Sequence, residues 1–141
     1  MKSLSTTIDI LAPPERVWPI MSDVERWHEW TPSIRKVVRL DSGPMGVGSR
    51  VRVHQPRLPV AFWQVTDWQP GRSFTWVSRN PGVRVTARHA IEPIPGGSRV
   101  TLSLQYEGIF GALLARLTRG ITVRYVGLEA RGLKARSESA G

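Results

Sequence analysis

The sequence predicts an α+β protein in which one antiparallel sheet is covered on one face by a long C-terminal helix. Between residues 34 and 108, apolar and polar residues alternate, and short clusters of Pro, Gly, Asn and Asp interrupt the alternation. This pattern is typical of strands joined by tight turns. From Gly111 onward, apolar residues instead recur at helical spacing. Because 141 residues with 40% hydrophobic content suffice for one core, we expect a single domain over residues 1–136.

The N-terminal segment predicts one strand followed by two short helices. Residues 3–11 alternate in part, as a strand does, and Pro13 and Pro14 then suit the first turn of a helix. Pro19 lies inside this helix and is expected to end or kink it early. A second helix of about two turns is expected to begin at the capping-box pattern of residues 22–25 and to end at the next proline.

Six strands are expected in the alternating region. Each connection between them is short, so the strands should form an antiparallel meander. A turn at 70–71 would pair Val65 with Trp76, and a turn at 80–82 would pair Trp76 with Val85. The expected strands span residues 34–40, 49–55, 60–68, 73–79, 83–92 and 98–107.

This register predicts one apolar and one polar face for the sheet. A turn at 95–96 would pair Ala87 with Leu104, which places both on the apolar face. The polar face can meet water, whereas the apolar face needs cover from another element. The apolar face is expected to carry Val51, Val53, Ala61, Trp63, Val65, Phe74, Trp76, Val85, Ala87, Ile91, Val100, Leu102, Leu104 and Tyr106.

The predicted cover is an amphipathic helix over residues 111–136. Gly120, Gly127 and Gly132 interrupt it, each at a cost of about 1 kcal/mol relative to alanine, which suggests that something beside the helix needs room. The tail, residues 137–141, is expected to be disordered. The stripe expected to face the sheet consists of Leu113, Leu114, Leu117, Ile121, Tyr125, Leu128 and Leu133.

Composition excludes several classes of function. The chain has no cysteine, which rules out disulfides, thiolate catalysis and Cys-based zinc sites. It has no signal-peptide pattern and nothing near the roughly 18 consecutive apolar residues of a membrane span, so we expect a cytoplasmic protein. Its net charge of +9 is spread along the chain without blocks of like charge. That distribution favours a solvated basic surface over a dedicated nucleic-acid or anionic-membrane surface.

The order of elements and several local motifs resemble a known family. The stretch APPERVWPIMSDVERWHEWTPSIRKV, the triplet Pro70-Gly71-Arg72 before FTW, and EPIPGGSRVTL resemble the polyketide cyclase/dehydrase branch of the START-like (SRPBCC) superfamily. The resemblance covers about residues 4–136. It implies the helix-grip fold, in which a curved sheet of about seven strands wraps around the long helix and leaves an apolar cavity. Members bind lipids, hormones, quinones or polyketides, and a minority catalyse cyclisation, aromatisation or dehydration.

The candidate ligand-contacting residues lie on the apolar sheet face, on the long helix and on the second short helix. Large aromatic rings suit a pocket for flat or polycyclic ligands, although the same rings can simply fill a core. His89, Ser78 and Tyr106 form a candidate polar handle, for which the alternative is a structural role in the core. A cavity of roughly 300–1,000 Å³ is expected. The candidates are Trp27, Trp30, Trp63, Trp76, Ser78, Val85, His89, Leu104, Tyr106, Leu117, Ile121 and Tyr125.

No motif identifies a catalytic centre. His28, His54 and His89 lack ligand spacing with each other or with a nearby carboxylate, so neither a metal site nor another cofactor is predicted. No Ser-His-Asp order and no glycine-rich phosphate loop can be assembled from the sequence.

Three functions are compatible with these observations. The first is a binding module for a hydrophobic small molecule, such as a lipid, an isoprenoid or quinone, or an aromatic polyketide, and this role allows transient membrane contact. The second is a polyketide cyclase, aromatase or dehydrase that acts on a carrier-bound chain, for which the positive charge would attract an acidic carrier protein. The third is an interaction protein whose basic face meets RNA, a ribosome or an anionic membrane.

Overall fold

The computed structural model describes residues 2–139, and within them it contains one seven-stranded antiparallel sheet, two α-helices and one 3₁₀ helix. This architecture confirms the predicted fold class. The elements are β1 (Lys2–Ile10), α1 (Pro14–Ser22), the 3₁₀ helix (Val24–Glu29), β2 (Lys36–Arg39), β3 (Arg50–His54), β4 (Ala61–Gln69), β5 (Ser73–Asn80), β6 (Val83–Ile94), β7 (Gly97–Glu107) and α2 (Gly111–Ser139).

The six consecutive strands form the expected meander, and β1 joins its far edge. The strand order is β1-β7-β6-β5-β4-β3-β2. The predicted pairings of Val65 with Trp76 and of Ala87 with Leu104 are confirmed. Trp76 pairs with Ala87 and not with Val85, because Asn80 pairs with Val83 and the chain turns at residues 81–82, one residue later than the predicted pairing requires. This shift of two residues leaves every side chain on its predicted face, since facing alternates with a period of two.

One irregularity changes which side chains reach the core. The register between β4 and β5 shifts between Val65 and Asp67, as it does at a β-bulge. The bulge turns Trp68 onto the apolar face, where its ring centroid lies 5.3 Å from those of both Trp18 and Phe74. Uninterrupted alternation would have placed Trp68 on the polar face, so the sequence pattern alone missed it.

Two details of the N-terminal helices differ from expectation. Pro19 does not end α1, which continues to Ser22, and a kink at Pro19 stays a prediction. A proline at this position removes only one backbone hydrogen bond, and buried Val17 and Met21 hold the helix against the core. The residues after α1 form a 3₁₀ helix that lacks the predicted capping hydrogen bond from a side chain. Its position is fixed instead by Trp27, whose indole Nε1 donates to the Met21 carbonyl at 2.9 Å.

The predicted disordered tail is also corrected for the residues that the structure describes. α2 continues to Ser139, and residues 140–141 lie outside the described range. Ser137 is fully buried, and the Glu138 carboxylate accepts hydrogen bonds from the Leu11 backbone N–H at 2.8 Å and from Lys134 at 2.6 Å. These contacts extend the helix beyond the point where its hydrophobic pattern fades.

α2 packs tightly against the body at its C-terminal half only. Ala130 and Leu133 are buried there, and Gly132 lies so close to the 3₁₀ helix that an added Cβ would stand 2.0 Å from the Trp30 carbonyl oxygen. In the N-terminal half, residues 111–125, Gly111 is the only buried residue. The first half of α2 therefore stands away from the sheet and leaves space beneath it. Within residues 2–139, no helix is long and apolar enough to cross a bilayer.

Candidate ligand-binding cavity

A cavity of about 270 Å³ lies between the N-terminal half of α2 and the apolar face of strands β3–β7. It occupies the place that the sequence predicted, and it is slightly smaller than the expected range of about 300–1,000 Å³. The candidates that line it are Trp27, Trp63, Trp76, Ser78, Val85, His89, Leu104, Tyr106 and Tyr125. Whether they contact a ligand stays a prediction.

Aromatic rings form one wall of the cavity. Trp27 is only 2% exposed, and its ring centroid lies 5.4 Å from those of Trp76 and His89. Trp63 continues this wall at 5.8 Å from Trp76. Because the Trp27 N–H is already bonded to a backbone carbonyl, the indole offers the cavity an apolar ring and no free donor.

Trp30 does not line the cavity. Its ring centroid lies 5.8 Å from that of Trp27, and its backbone packs against Gly132 of α2. The two tryptophans therefore have different positions: Trp27 faces the cavity, and Trp30 packs the 3₁₀ helix against α2. As expected, the charged residues around the pair are exposed, namely Glu25, Arg26 and Glu29.

Two helix residues expected on the cavity wall are placed elsewhere. Leu117 is 73% exposed, and Ile121 borders a separate groove between α2 and the segments around Pro32 and Pro56. The prediction assumed that the most hydrophobic face of α2 meets the sheet, as it would in a solid core. A cavity wall also accepts polar side chains, so the predicted inward face of the helix was wrong. The side chains that α2 turns inward are Leu114, Thr118, Thr122, Tyr125, Val126 and Glu129.

Two hydroxyl groups on the wall have no bonding partner within the described chain. Ser78 and Tyr106 are 4% and 7% exposed, and neither side chain forms a hydrogen bond with any residue from 2 to 139. Tyr125 differs from them, because its hydroxyl donates to the Pro56 carbonyl and so ties α2 to the connection between β3 and β4. Unpaired hydroxyl groups beside a cavity are available to a ligand.

His89 has a carboxylate partner that the sequence did not reveal. Its imidazole is 5% exposed and stacks on Phe74 at a centroid distance of 4.2 Å. His89 Nε2 lies 3.5 Å from Glu129 Oε1, and both residues line the cavity. His89 Nδ1 is enclosed and has no partner among the described residues. His89 Nε2 is thus paired with Glu129 and is not the free handle that was expected, while its contact with a ligand stays a prediction.

The position of Glu129 carried a signal that could have identified it. Glu129 lies one helical turn after Tyr125, which was already a predicted wall residue. It also ends a stretch without acidic residues that begins after Glu107. No group of three or more potential metal ligands occurs within residues 2–139, so the His89–Glu129 pair stands alone.

A model of one protein family matches this chain over residues 1–138. Its description is polyketide cyclase / dehydrase and lipid transport. An uncharacterized protein of Mycobacterium tuberculosis is 24% identical over 102 residues, which make up 70% of this chain and 61% of that protein. The chain therefore spans less than two thirds of the length of this curated relative.

Several solved structures share the fold. The Zhui aromatase/cyclase of a Streptomyces species superposes with a TM-score of 0.78 at 16% identity, covering 97% of this chain and 93% of that one. A START superfamily protein of Mycobacterium smegmatis gives a TM-score of 0.75 at 20% identity, with 99% of both chains covered. TTHA0849 of Thermus thermophilus gives 0.77 at 24% identity, again with 99% of both chains covered. These likenesses confirm the helix-grip fold.

Proposed function

Because the chain belongs to the polyketide cyclase/dehydrase and lipid transport family, we propose that it binds a hydrophobic small molecule between its sheet and α2. The observation that carries this proposal is the aromatic-walled cavity itself. Trp27, Trp63 and Trp76 supply broad apolar surface, while the hydroxyls of Ser78 and Tyr106 are unpaired within residues 2–139. An apolar pocket with a few polar groups is the usual composition of a small-molecule site.

The volume narrows the class of ligand. About 270 Å³ lies just below the usual size of small-molecule pockets, so we expect a compact ring system or a short chain, and not a whole phospholipid. Flat rings would stack on the indoles, and a carbonyl or hydroxyl could bond to Tyr106. Among the classes expected from the sequence, quinones and aromatic polyketides fit this description better than long lipids.

Titration with three probes tests this proposal. A medium-chain fatty acid, a naphthoquinone and a hydroxyanthraquinone would be added while quenching of tryptophan fluorescence is followed. We expect saturable binding at one site per chain, with the ring compounds tighter than the fatty acid.

A cavity-filling variant makes the titration specific. Leu104→Trp places a large ring on the cavity wall and should abolish binding, because the added ring occupies the ligand's volume. Leu117→Trp is the matched control, since that side chain is 73% exposed on the outer face of α2. Equal binding by both variants would mean that the probes bind outside the cavity, and the proposal would fail.

A second candidate function rests on the pair of His89 and Glu129. An imidazole within reach of a carboxylate can accept a proton and return it, which a dehydration or cyclisation requires. In this alternative the protein is a polyketide cyclase, aromatase or dehydrase that acts on a chain presented by an acidic carrier protein. The test is to incubate the protein with a carrier-bound polyketide-type chain. Formation of more than one product molecule per protein molecule, together with loss of this turnover in Glu129→Gln, would favour the enzyme. Stoichiometric binding without conversion favours the binding module.

A further inference from the structure

An exposed apolar patch covers the start of α2 and the turn before it. Ile109 and Leu117 are 85% and 73% exposed, and Phe110 and Leu113 are each 53% exposed. Phe110, Leu113 and Leu117 follow helical spacing, so their side chains form one stripe. These four residues are called the 109–117 patch below. Scattered apolar residues on a surface are ordinary, whereas a contiguous group marks an interaction site.

The first turns of α2 place large apolar side chains on their outer face and smaller polar ones on the face toward the cavity. In the same turns, the residues that line the cavity are Leu114, Thr118 and Thr122. Leu113 and Leu117 therefore face water while two threonines face the inside of the protein. Neither the core nor the cavity uses this outward stripe, so it is free to meet a partner.

The fold holds the patch in a fixed position. The Phe110 backbone N–H donates to the Gly82 carbonyl at 2.8 Å, in the turn between β5 and β6. The ring of Phe110 covers Gly82 so closely that an added Cβ there would lie 2.3 Å from Phe110 Cδ2. Ile109 and Phe110 are thus presented on an anchored turn and not on a loose loop.

Positive charge borders the patch. A groove of about 530 Å³ between β1 and the first turns of α2 is lined by Lys2, Arg116 and Arg119, and Leu113 belongs to both the groove and the patch. No acidic residue occurs from 108 to 128. The nearest preceding one, Glu107, forms an ion pair with Arg84.

Three acidic side chains lie at the opposite end of the sheet, and each is paired there with a basic side chain. A hydrogen bond from Arg99 lowers the pKa of Asp9, and the Arg50 and Leu11 backbone N–H groups lower the pKa values of Asp41 and Glu138. Asp9 and Glu138 lie near the end of β1, whereas the patch lies near its beginning. The opposite end therefore carries charge of both signs, whereas Lys2, Arg116 and Arg119 beside the exposed apolar stripe form no ion pair within residues 2–139.

We infer that this end of the protein docks onto an anionic lipid bilayer, with the 109–117 patch in the interfacial layer and Lys2, Arg116 and Arg119 against the phosphate headgroups. Apolar side chains beside basic ones are the composition of helices that lie on membrane surfaces.

Other occupants fit the patch less well. A second copy related by a two-fold axis would bring Arg116 and Arg119 close to their own counterparts, which like-charge repulsion opposes. A nucleic acid would satisfy the arginines but would leave the leucine side chains without apolar partners. The inference does not depend on what the cavity binds, although Tyr106 lines both the groove and the cavity and so connects the two surfaces.

Vesicle co-sedimentation tests the inference. One set of vesicles contains phosphatidylcholine alone, and the other contains roughly one third phosphatidylglycerol, which supplies the negative surface potential. We expect binding to the anionic vesicles that weakens as salt is raised, because salt screens the headgroup charge. Arg116→Gln with Arg119→Gln should lower the partition coefficient by about 25-fold, at about fivefold for each arginine. Leu113→Ser with Leu117→Ser should lower it by roughly tenfold or more.

Matched controls come from the opposite end of the molecule. Leu11→Ser with Val47→Ser changes two side chains that are 75% and 71% exposed there, and Arg72→Gln removes a charge from the turn between β4 and β5. These variants should bind vesicles as the unchanged protein does. Circular dichroism would establish that each variant is folded, and Leu117→Ser alone serves if the double variant is not.

Two results would overturn the inference. The first is vesicle binding that is absent, or that falls equally in patch variants and controls. The second is a dimer in analytical ultracentrifugation that Leu117→Ser converts to a monomer, since the patch would then be an interface between copies of this chain.

Discussion

At the scale of single residues, two tyrosines on the cavity wall differ in what their hydroxyls contact. The Tyr125 hydroxyl donates to the Pro56 carbonyl, which holds the connection between β3 and β4 against α2. The Tyr106 hydroxyl has no hydrogen bond with any residue of the described chain. The first phenol therefore stabilises the edge of the cavity, while the second is free to bond to a ligand.

We expect the two Tyr→Phe variants to separate affinity from stability. Tyr106→Phe should weaken binding of the tightest ring probe by about tenfold, or about 1.4 kcal/mol, without loss of stability. Tyr125→Phe should lower the free energy of unfolding by about 1 kcal/mol, because a hydrogen bond to the backbone is lost. Fluorescence titration and urea denaturation measure the two effects. A Tyr106→Phe protein that binds normally but melts earlier would show that Tyr106 is a core residue.

The same scale shows where prediction from sequence ends. Trp27, Trp63 and Trp76 could be placed beside the cavity because strand alternation and the short second helix determine their direction. The pairing of His89 with Glu129 could not be predicted, because it joins a strand to a helix across a space that no local pattern describes. Only the packing of α2 onto the sheet brings the two residues together.

At the scale of elements, α2 has two halves with different tasks. Its C-terminal half packs on the 3₁₀ helix at Gly132, where an added Cβ would stand 2.0 Å from the Trp30 carbonyl oxygen. Its N-terminal half stands over the cavity and includes Gly120, which has nothing within 4 Å of an added Cβ. The expectation that glycines provide room is thus supported at Gly132 and has no basis at Gly120.

These two glycines form a matched pair for mutation. Gly132→Ala should lower the free energy of unfolding by about 3 kcal/mol or more, because the methyl group overlaps a backbone oxygen that cannot move freely. Gly120→Ala should raise it by up to about 1 kcal/mol through better helix propensity. Urea denaturation monitored by circular dichroism measures both changes. Similar stabilities for the two variants would contradict the close packing of α2 on the 3₁₀ helix.

Sheet and helix differed in how far their sequences determined them. The predicted register between β5 and β6 was wrong by two residues. The predicted face of each side chain was still correct, because side chains in a strand alternate with a period of two. The helix has no such protection, and its inward face includes Thr118, Thr122 and Glu129. The β-bulge that brings Trp68 into the core likewise left no signal in the alternation.

At the scale of the whole molecule, the fold combines a filled core with an open space above it. Trp27, Phe74, Trp76 and His89 form one aromatic cluster, with ring centroids between 4.2 and 5.5 Å for the pairs that His89 makes. The cluster belongs to the core on one side and faces the cavity on the other. Stability can therefore come from the sheet and the C-terminal half of α2, which leaves the N-terminal half of α2 available for a ligand and a membrane surface.

Native mass spectrometry of the protein purified from its own host tests the proposed ligand binding most directly. The unchanged protein should carry a single compact, largely apolar molecule, and Leu104→Trp, which fills the cavity, should carry none. A complex with the tightest ring probe, sprayed under the same conditions, verifies that such an adduct survives. The contradicting result is that the reference complex survives while the unchanged protein and Leu104→Trp both appear only at the mass of the bare chain. If incubation with host extract also adds no molecule to the unchanged protein, the cavity does not hold a ligand.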